Sequence, residues 1–169
     1  MFCEISNIIL KKRRNIKLAK KTKAKRKSTR QPNPVVLSIN VCDTIIRDEP
    51  TKKVSLIGLF SAINAITFPA THPSMHVYIA LTNGHGSYKL NIQLVREEDN
   101  HIIVGMEGGI KFMTPLQVLE LNLQWGGIQF EKPGFYHFEV ICNGTLAGAR
   151  KFIVSQIQQQ NPHTKETKG

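Results

Sequence analysis

Acidic residues are missing from most of the first part of this 169-residue chain. From Lys11 to Pro34 the sequence reads KKRRNIKLAKKTKAKRKSTRQPNP, with twelve Lys and Arg, no acid and no aromatic residue. Because nothing in the segment neutralises its charge, it is suited to bind a polyanion. The absence of aromatic rings excludes base reading through aromatic stacking.

Long apolar runs are also absent. No stretch of 18 or more apolar residues occurs, so no membrane-spanning helix is predicted and a membrane is not expected as a partner. The apolar stretch Ile8–Leu10 is too short for a signal peptide, and the basic residues follow it instead of preceding it. These absences predict a cytoplasmic protein.

Cysteine is scarce, with only Cys3, Cys42 and Cys142 in the chain. An odd and sparse set does not form a disulfide framework. Cys42 falls on the outward side of its predicted strand and Cys142 on the inward side of its own, so a bridge between them is not expected. Free thiols in a reducing compartment are the simpler interpretation.

The net charge of +11 is confined to the N-terminal segment. Residues 1–34 hold 12 of the 23 basic side chains and one acid, Glu4, so residues 35–169 hold 11 of each sign. We therefore predict three parts: a basic disordered arm at 1–34, a folded domain at 35–157, and a disordered polar tail at 158–169. The domain should exert little long-range attraction on polyanions.

Alternating apolar residues predict strands throughout the folded part. The pattern predicts an inward side on five strands, made of Val35, Leu37, Ile39 and Val41; Met75, Val77, Ile79 and Leu81; Tyr88, Leu90, Ile92 and Leu94; Leu119, Leu121, Leu123 and Trp125; and Tyr136, Phe138, Val140 and Cys142.

Turn signals separate about eight strands, which is typical of an antiparallel β-sandwich with a core around Trp125, Tyr136 and Phe138. Lys52–Ile63 is expected to be a single covered or twisted strand. Gly126–Gly127 predicts a bulge, and Asn143–Gly144 predicts a hairpin turn. No convincing amphipathic helix is present, and the weak candidate is Thr114–Leu121.

Three stretches resemble a bacterial family of domains of unknown function. They are VVLSINVCDTIIRDEPTKKVSLIGLF, FPATHPSMHVYIALTNGHGSYKLNIQLV and PGFYHFEVICNGTLAGARKFIV, and the resemblance covers about residues 35–155. It implies a single Ig-like β-sandwich and no assigned activity. The basic segment lies outside it, so the start of the gene could have been placed too far upstream, with Val35 or Val36 near the true start.

Twelve residues are the candidate nucleic-acid-binding set. They would neutralise phosphates without sequence preference. The set comprises Lys11, Lys12, Arg13, Arg14, Lys17, Lys20, Lys21, Lys23, Lys25, Arg26, Lys27 and Arg30. An idle tail, or a segment absent from the native protein, is the alternative interpretation.

No catalytic, cofactor or metal site is predicted. The histidines (His72, His76, His85, His101, His137 and His163) have no metal-ligand spacing, and Cys42 has no predicted base beyond an outward histidine. Asp43 is expected to point inward, and Arg47, Asp48 and Glu49 to form a polar turn. The glycine-rich stretches Gly84–Ser87 and Met106–Gly109 precede no helix and are predicted to be turns.

A non-enzymatic binding or structural module with an unspecified ligand, which includes a protein partner, is therefore the first functional hypothesis. Its candidate contact loops are Arg47–Lys53, Asn83–Ser87 and Glu97–His101. A nucleic-acid-associated protein that uses the basic arm is the alternative.

Overall fold

The computed structural model describes residues 31–158, which form nine strands and no helix. No helix that could cross a membrane is therefore present in this part of the chain. The strands are β1 (Val35–Arg47), β2 (Val54–Leu59), β3 (Ala62–Ala65), β4 (Ala70–Thr82), β5 (Gly86–Arg96), β6 (His101–Phe112), β7 (Leu119–Phe130), β8 (Gly134–Cys142) and β9 (Thr145–Gln156). The weak helix candidate is thus a loop followed by the start of β7.

The strands form two sheets, which confirms the all-β prediction. The four-stranded sheet has the order β2-β1-β4-β7, and the five-stranded sheet has the order β3-β9-β8-β5-β6. Neighbouring strands are antiparallel except β3 and β9, which are parallel, so the sandwich is not wholly antiparallel as predicted.

One apolar core lies between the sheets and contains most of the predicted inward residues. Aromatic rings join the two sheets directly: the centroids of Phe130 and Tyr136 are 4.9 Å apart, and those of Trp125 and Phe138 are 5.4 Å apart. Trp125 lies at the edge of this core, because its side chain is only partly buried. The prediction that the core surrounds Trp125 is therefore wrong in this detail.

The stretch Lys52–Ile63 forms two strands, not one. β2 pairs with β1 in the four-stranded sheet, whereas β3 pairs with β9 in the other sheet. Apolar residues continue through the crossing, from Leu59 and Phe60 to Ile63. Periodicity alone therefore gave no signal for the change of sheet.

The start of β1 differs from its predicted alternation. A shift in the pairing with β4 lies between Val36 and Ser38. As a result Val36 packs against the core, whereas Val35 and Leu37 are exposed. The inward assignment of Val35 and Leu37 was wrong because an irregularity of this kind leaves no mark in a plain alternating sequence.

The β1–β2 hairpin folds back over the outer face of the four-stranded sheet. Glu120 on β7 lies opposite Ala80, which lies opposite Ser38 on β1. A straight strand would place Arg47 roughly 30 Å beyond Ser38. Instead, Nη2 of Arg47 lies 3.7 Å from Oε2 of Glu120. β1 must therefore bend sharply after its pairing with β4 ends at Cys42.

Two turn predictions have different outcomes. Asn143 and Gly144 both have positive φ, 49° and 81°, and connect β8 to β9 as the predicted hairpin. Gly126–Gly127 makes no bulge, since β7 pairs with β4 in constant register from Leu119 to Phe130. On both strands, the set of alternate residues that faces the core changes at this point. Met75 and Trp125 belong to the first set, and the other set faces the core beyond the glycines.

A buried tyrosine fixes the β7–β8 connection. The hydroxyl of Tyr136 donates a hydrogen bond of 2.7 Å to the carbonyl oxygen of Lys132, four residues upstream. This contact has the form of the tyrosine corner of Greek-key sandwiches. It holds the connection against the end of the core.

Candidate binding surface at the Leu116 end

The loop between β6 and β7, residues 113–118, has the sequence MTPLQV and exposes three large apolar side chains. Leu116 is 92% exposed, Met113 62% and Val118 49%. Single exposed apolar residues are common on protein surfaces, whereas a group of this size in six residues marks a candidate contact site.

Hydrogen bonds hold this loop in place. Thr82 donates its hydroxyl to the carbonyl oxygens of Pro115 and Gln117, at 3.4 and 3.0 Å, and the N–H of Asn83 donates to Pro115 at 3.0 Å. Within the loop, Oε1 of Gln117 accepts from the N–H of Met113 at 2.7 Å. The apolar side chains are thus presented on a braced backbone.

The predicted contact loop Asn83–Ser87 lies beside this loop. Asn83 has a positive φ of 62°, and an added Cβ at Gly84 would lie 2.2 Å from the ring of Phe112. This close approach explains why the position is occupied by glycine, and the contact closes this end of the core. We call this end of the sandwich, with residues 83–87 and 113–118, the Leu116 end.

The chain enters the domain at the same end. The hydroxyl of Tyr88 donates a hydrogen bond of 2.6 Å to the carbonyl oxygen of Pro32. Pro34 is buried, and Val35 pairs with Thr82 on β4. The basic segment therefore connects to the domain beside the apolar loop. The predicted nucleic-acid-binding residues from Lys11 to Arg30 lie outside the described residues.

The other two predicted contact loops lie outside residues 83–87 and 113–118, one near the start of β7 and one at the opposite end of the sandwich. Arg47 at the base of the hairpin tip contacts Glu120, near the start of β7. Within that tip Asp48 accepts hydrogen bonds from Thr51, and Glu49 pairs with Lys52 at 2.6 Å. The expected polar turn is confirmed.

Glu97–His101 lies at the opposite end, since it follows the far end of β5. Its charges are paired within the domain: Glu97 with Lys151 at 2.7 Å, Glu98 with Lys132, and Asp99 with Arg96. Arg96 is 7% exposed and also contacts Glu131 at 2.9 Å. Hydrogen bonds from Arg96 hold the pKa of Asp99 well below its usual range. These ion pairs stabilise the fold at this end of the domain.

The outer face of the four-stranded sheet gathers Cys42, His76 and Tyr78. Cys42 points outward as predicted, but it is completely buried, and desolvation raises the pKa of its thiol. Nδ1 of His76 contacts the carbonyl oxygen of Asp43 at 2.7 Å, and Cys42 donates to the carbonyl oxygen of Thr44 at 3.5 Å. A buried, protonated thiol lacks the features of an activated nucleophile.

Tyr78 and Asp43 complete this face. Burial, followed by the 2.6 Å hydrogen bond to Glu120, raises the pKa of Tyr78 to about 12. Asp43 is exposed, so its predicted inward orientation was wrong. Its carboxylate occupies the space beside Gly58, where an added Cβ would lie 2.2 Å from Oδ2.

The remaining histidines do not converge. Nε2 of His137 contacts Glu139 at 3.1 Å, whereas Nε2 of His72 is buried without a hydrogen-bond partner. Among residues 31–158 no group of three or more His, Cys, Asp or Glu side chains is arranged to hold a metal ion. His163 lies outside this range. Met106–Gly109, predicted as a turn, lies within β6, and Gly84–Ser87 joins β4 to β5.

Two depressions in the described part of the chain are candidate pockets. An apolar cavity of about 20 Å³ lies where β6 meets β7, lined by Met106, Gly108, Leu121 and Leu123 among others. An open hollow of about 500 Å³ is lined by Ile66 and residues 156–158. The first is far below the size of a ligand pocket, and the second is lined by no titratable side chain.

Sequence reasoning missed the loop at residues 113–118. Its signal was available: Pro115 interrupts an apolar series that fits neither the strand nor the helix period. The stretch Thr114–Leu121 was instead considered only as a weak helix candidate.

Comparison with known proteins gives a family but no activity. The alkylpurine DNA glycosylase AlkC of Pseudomonas fluorescens, solved bound to DNA with an abasic site analog, aligns at 12% identity with a TM-score of 0.40. The alignment covers 56% of this chain and 27% of that protein, and no functional inference is drawn from it. No curated protein matches. Residues 37–155 match the model of DUF6941, a family of unknown function, and the chain therefore belongs to that family.

Proposed function

We propose that this protein is a non-enzymatic binding module that contacts its partner through the Leu116 end. The exposure of Leu116, Met113 and Val118 on a hydrogen-bonded loop carries this proposal. A sandwich scaffold that holds its contact loop rigid loses little conformational entropy on binding. The Ig-like class and the cytoplasmic location belong to the same proposal.

Site-specific photo-crosslinking tests the proposed surface. A photoreactive amino acid replaces Leu116 in the full-length protein, and the matched control carries it at Ile102, which is 48% exposed at the opposite end. We expect covalent adducts in living cells from position 116 and few from position 102. Equal adduct yields at the two positions would contradict the proposal.

Nucleic-acid association through Lys11–Arg30 is the second candidate function. The observation that favours it is the run of twelve cations without an acid. If it holds, binding of the full-length protein to single-stranded RNA or duplex DNA should weaken steeply with salt. Replacing Lys20, Lys21, Lys23 and Lys25 with glutamine should weaken it further, and an unchanged affinity would rule out this candidate.

A further inference from the structure

Strand β6 forms an edge of the five-stranded sheet. In the described part of the chain it pairs with β5 alone, and this pairing is regular from Val104 to Phe112. A shift in register opposite Leu94 and Val95 bends the start of the strand away from this line. A regular strand edge with one unpaired side is a template on which another strand can form a ladder of hydrogen bonds.

The hydrogen bonds of Lys89 show which backbone groups of β6 point to the free edge. Its carbonyl oxygen accepts from the N–H of Asn143, and its N–H donates to Oδ1 of Asn143, both at 2.8 Å. Lys89 therefore exchanges no backbone hydrogen bond with Gly109, its partner on β6. Because the direction alternates along an antiparallel strand, the N–H and C=O groups of Glu107, Gly109 and Lys111 point to the free edge.

The side chains of these three residues fit a second copy of the same edge. They carry a negative charge, no side chain and a positive charge, in that order. When two copies pair antiparallel about a twofold axis at Gly109, Glu107 of each copy lies opposite Lys111 of the other. A register centred on Glu107 or on Lys111 would instead place like charges opposite each other, which is destabilising.

Both charged groups are available for this contact. Lys111 is exposed and forms no ion pair within residues 31–158. Oε1 of Glu107 lies 3.9 Å from Nζ of Lys89 in its own chain, and a carboxylate can accept hydrogen bonds from more than one cation. The pairing of Glu107 with a second lysine is therefore compatible with the contacts inside the domain.

The inner side of the edge fits the same register. Gly108 lies opposite the buried Leu90, and it lines the apolar cavity of about 20 Å³ where β6 meets β7. With Gly109 on the axis, Ile110 of the second copy lies opposite Gly108, beside the space that its missing side chain leaves. An unrelated extended peptide would use the same backbone groups, but it would not account for the match of both charges and of Gly108 with Ile110.

We propose that two copies of this protein pair through β6 in antiparallel register about Gly109, so that their five-stranded sheets become continuous. The pairing covers Met106–Phe112 of each copy. The inference goes beyond the proposed function, because it uses a different surface from the Leu116 end. The loop at residues 113–118 leaves the line of β6 and is hydrogen-bonded to Thr82 in the other sheet.

Sedimentation equilibrium of the full-length protein, freed of nucleic acid, tests the pairing. We expect the wild type to be in a monomer–dimer equilibrium. Lys111→Glu should raise the Kd of the dimer about tenfold or more, because two attractive cross-strand contacts become repulsive, and Glu107→Lys should do the same. Lys53→Glu is the matched control, since Lys53 is exposed between β1 and β2, and it should dimerise as the wild type does.

Mixing the two single variants separates loss of pairing from loss of folding. A mixed dimer of Lys111→Glu with Glu107→Lys has opposite charges at both ends of the pairing. We therefore expect the mixture to dimerise with a Kd near that of the wild type. A mixture that stays as monomeric as its two components would contradict the proposal.

Single cysteines on the edge test the register, in a chain in which Cys3 is replaced by serine. With Gly109→Cys, the two Cα atoms on the axis lie about 5.5 Å apart, within the range for a disulfide. Gly105→Cys is the matched control, because an added Cβ at either glycine would meet no atom closer than 3.8 Å. The two copies of residue 105 would lie roughly 27 Å apart along the strands. Oxidised glutathione should therefore give a covalent dimer with Gly109→Cys only.

The remaining outcomes each overturn the proposal. A wild-type protein that stays monomeric at every concentration has no such pairing. A dimer that is unaffected by the charge variants but is lost in Leu116→Ser would use the Leu116 end. Equal disulfide formation by Gly109→Cys and Gly105→Cys would show that the copies meet without a fixed register.

Discussion

Gly84 shows how one residue without a side chain closes the core. The nearest atoms to an added Cβ belong to the Phe112 ring, at 2.2, 2.5 and 2.6 Å. Phe112 is 1% exposed and packs edge-on against Tyr88, with ring centroids 5.9 Å apart. An added methyl group would therefore have to displace a buried ring.

Gly84→Ala should consequently destabilise the domain by about 1–3 kcal/mol, the usual cost of overpacking a core. The measurement is urea unfolding followed by tryptophan fluorescence. Gly105→Ala is the control, because its added Cβ would meet no atom closer than 3.8 Å. Equal unfolding midpoints for the two variants would contradict this account.

Asp99 makes the stability of the domain depend on pH in the acid range. Its pKa in the folded protein is held well below its usual range by hydrogen bonds from Arg96, at 2.7 and 2.9 Å. A folded-state pKa below the unfolded value adds stability at pH above the unfolded pKa of about 4. That contribution is lost as the pH falls towards the folded-state value.

Asp99→Asn should therefore lower the free energy of unfolding at pH 7, and its difference from the wild type should shrink between about pH 4 and pH 2. Urea titrations at a series of pH values measure both proteins. A difference that stays constant down to pH 2 would show that the charge of Asp99 is not responsible.

The β1–β2 hairpin is joined to the rest of its sheet through β1 alone, because β2 is an edge strand. β2 pairs only with β1, and the hairpin protects Cys42 on the outer face. Cys142 lies on β8, which is paired on both sides by β5 and β9. The two buried thiols thus report on two different parts of the molecule.

Cys42 should react with a thiol reagent faster than Cys142 and with a weaker dependence on urea. Local opening of the hairpin suffices for Cys42, whereas Cys142 requires unfolding of the five-stranded sheet. Two variants with a single cysteine each, both lacking Cys3, separate the rates. Identical rates and urea dependences would mean that the hairpin opens only with the whole domain.

The accuracy of sequence reasoning differed between elements for physical reasons. β5 and β8 were predicted correctly because each has one face in the core and one face outward. β1 was not, since its bulge shifts the pattern and the folded-back hairpin buries the outward Cys42. Burial imposed by a distant segment leaves no local periodicity to read.

The candidate surface was only partly predictable. Asn83–Ser87 was foreseen as a loop from its turn residues. The loop at 113–118 was missed, because the exposure of Leu116 depends on how Thr82 and Asn83 hold the backbone. Such contacts join residues more than thirty positions apart in the sequence.

At the scale of the whole molecule, contacts with the core set the N-terminal boundary of the folded domain, and the change in composition does not. Pro32 accepts a hydrogen bond from Tyr88, and Pro34 is buried. The folded unit therefore includes residues from the stretch Gln31–Pro34, which composition alone assigns to the basic arm.

A chain of residues 31–169 should consequently unfold at the same urea concentration as the full-length protein. A chain of residues 36–169 should be less stable by about 1 kcal/mol or more, since it loses the hydrogen bond to Tyr88 and the burial of Pro34. Equal stability of the two shortened chains would show that residues 31–35 do not belong to the folded unit. The intact mass of the native protein then decides whether the basic segment is made.

The parallel pair of β3 and β9 sets an order of events during synthesis. Ala62 pairs with Ile153, so β3 leaves the ribosome roughly 90 residues before its partner, and contacts of such long separation form late. Until the last strand emerges, β3 has no paired neighbour and β8 lacks one of its two neighbours. A nascent chain stalled before residue 145 would expose both, and chaperones and proteases would act on it during that interval.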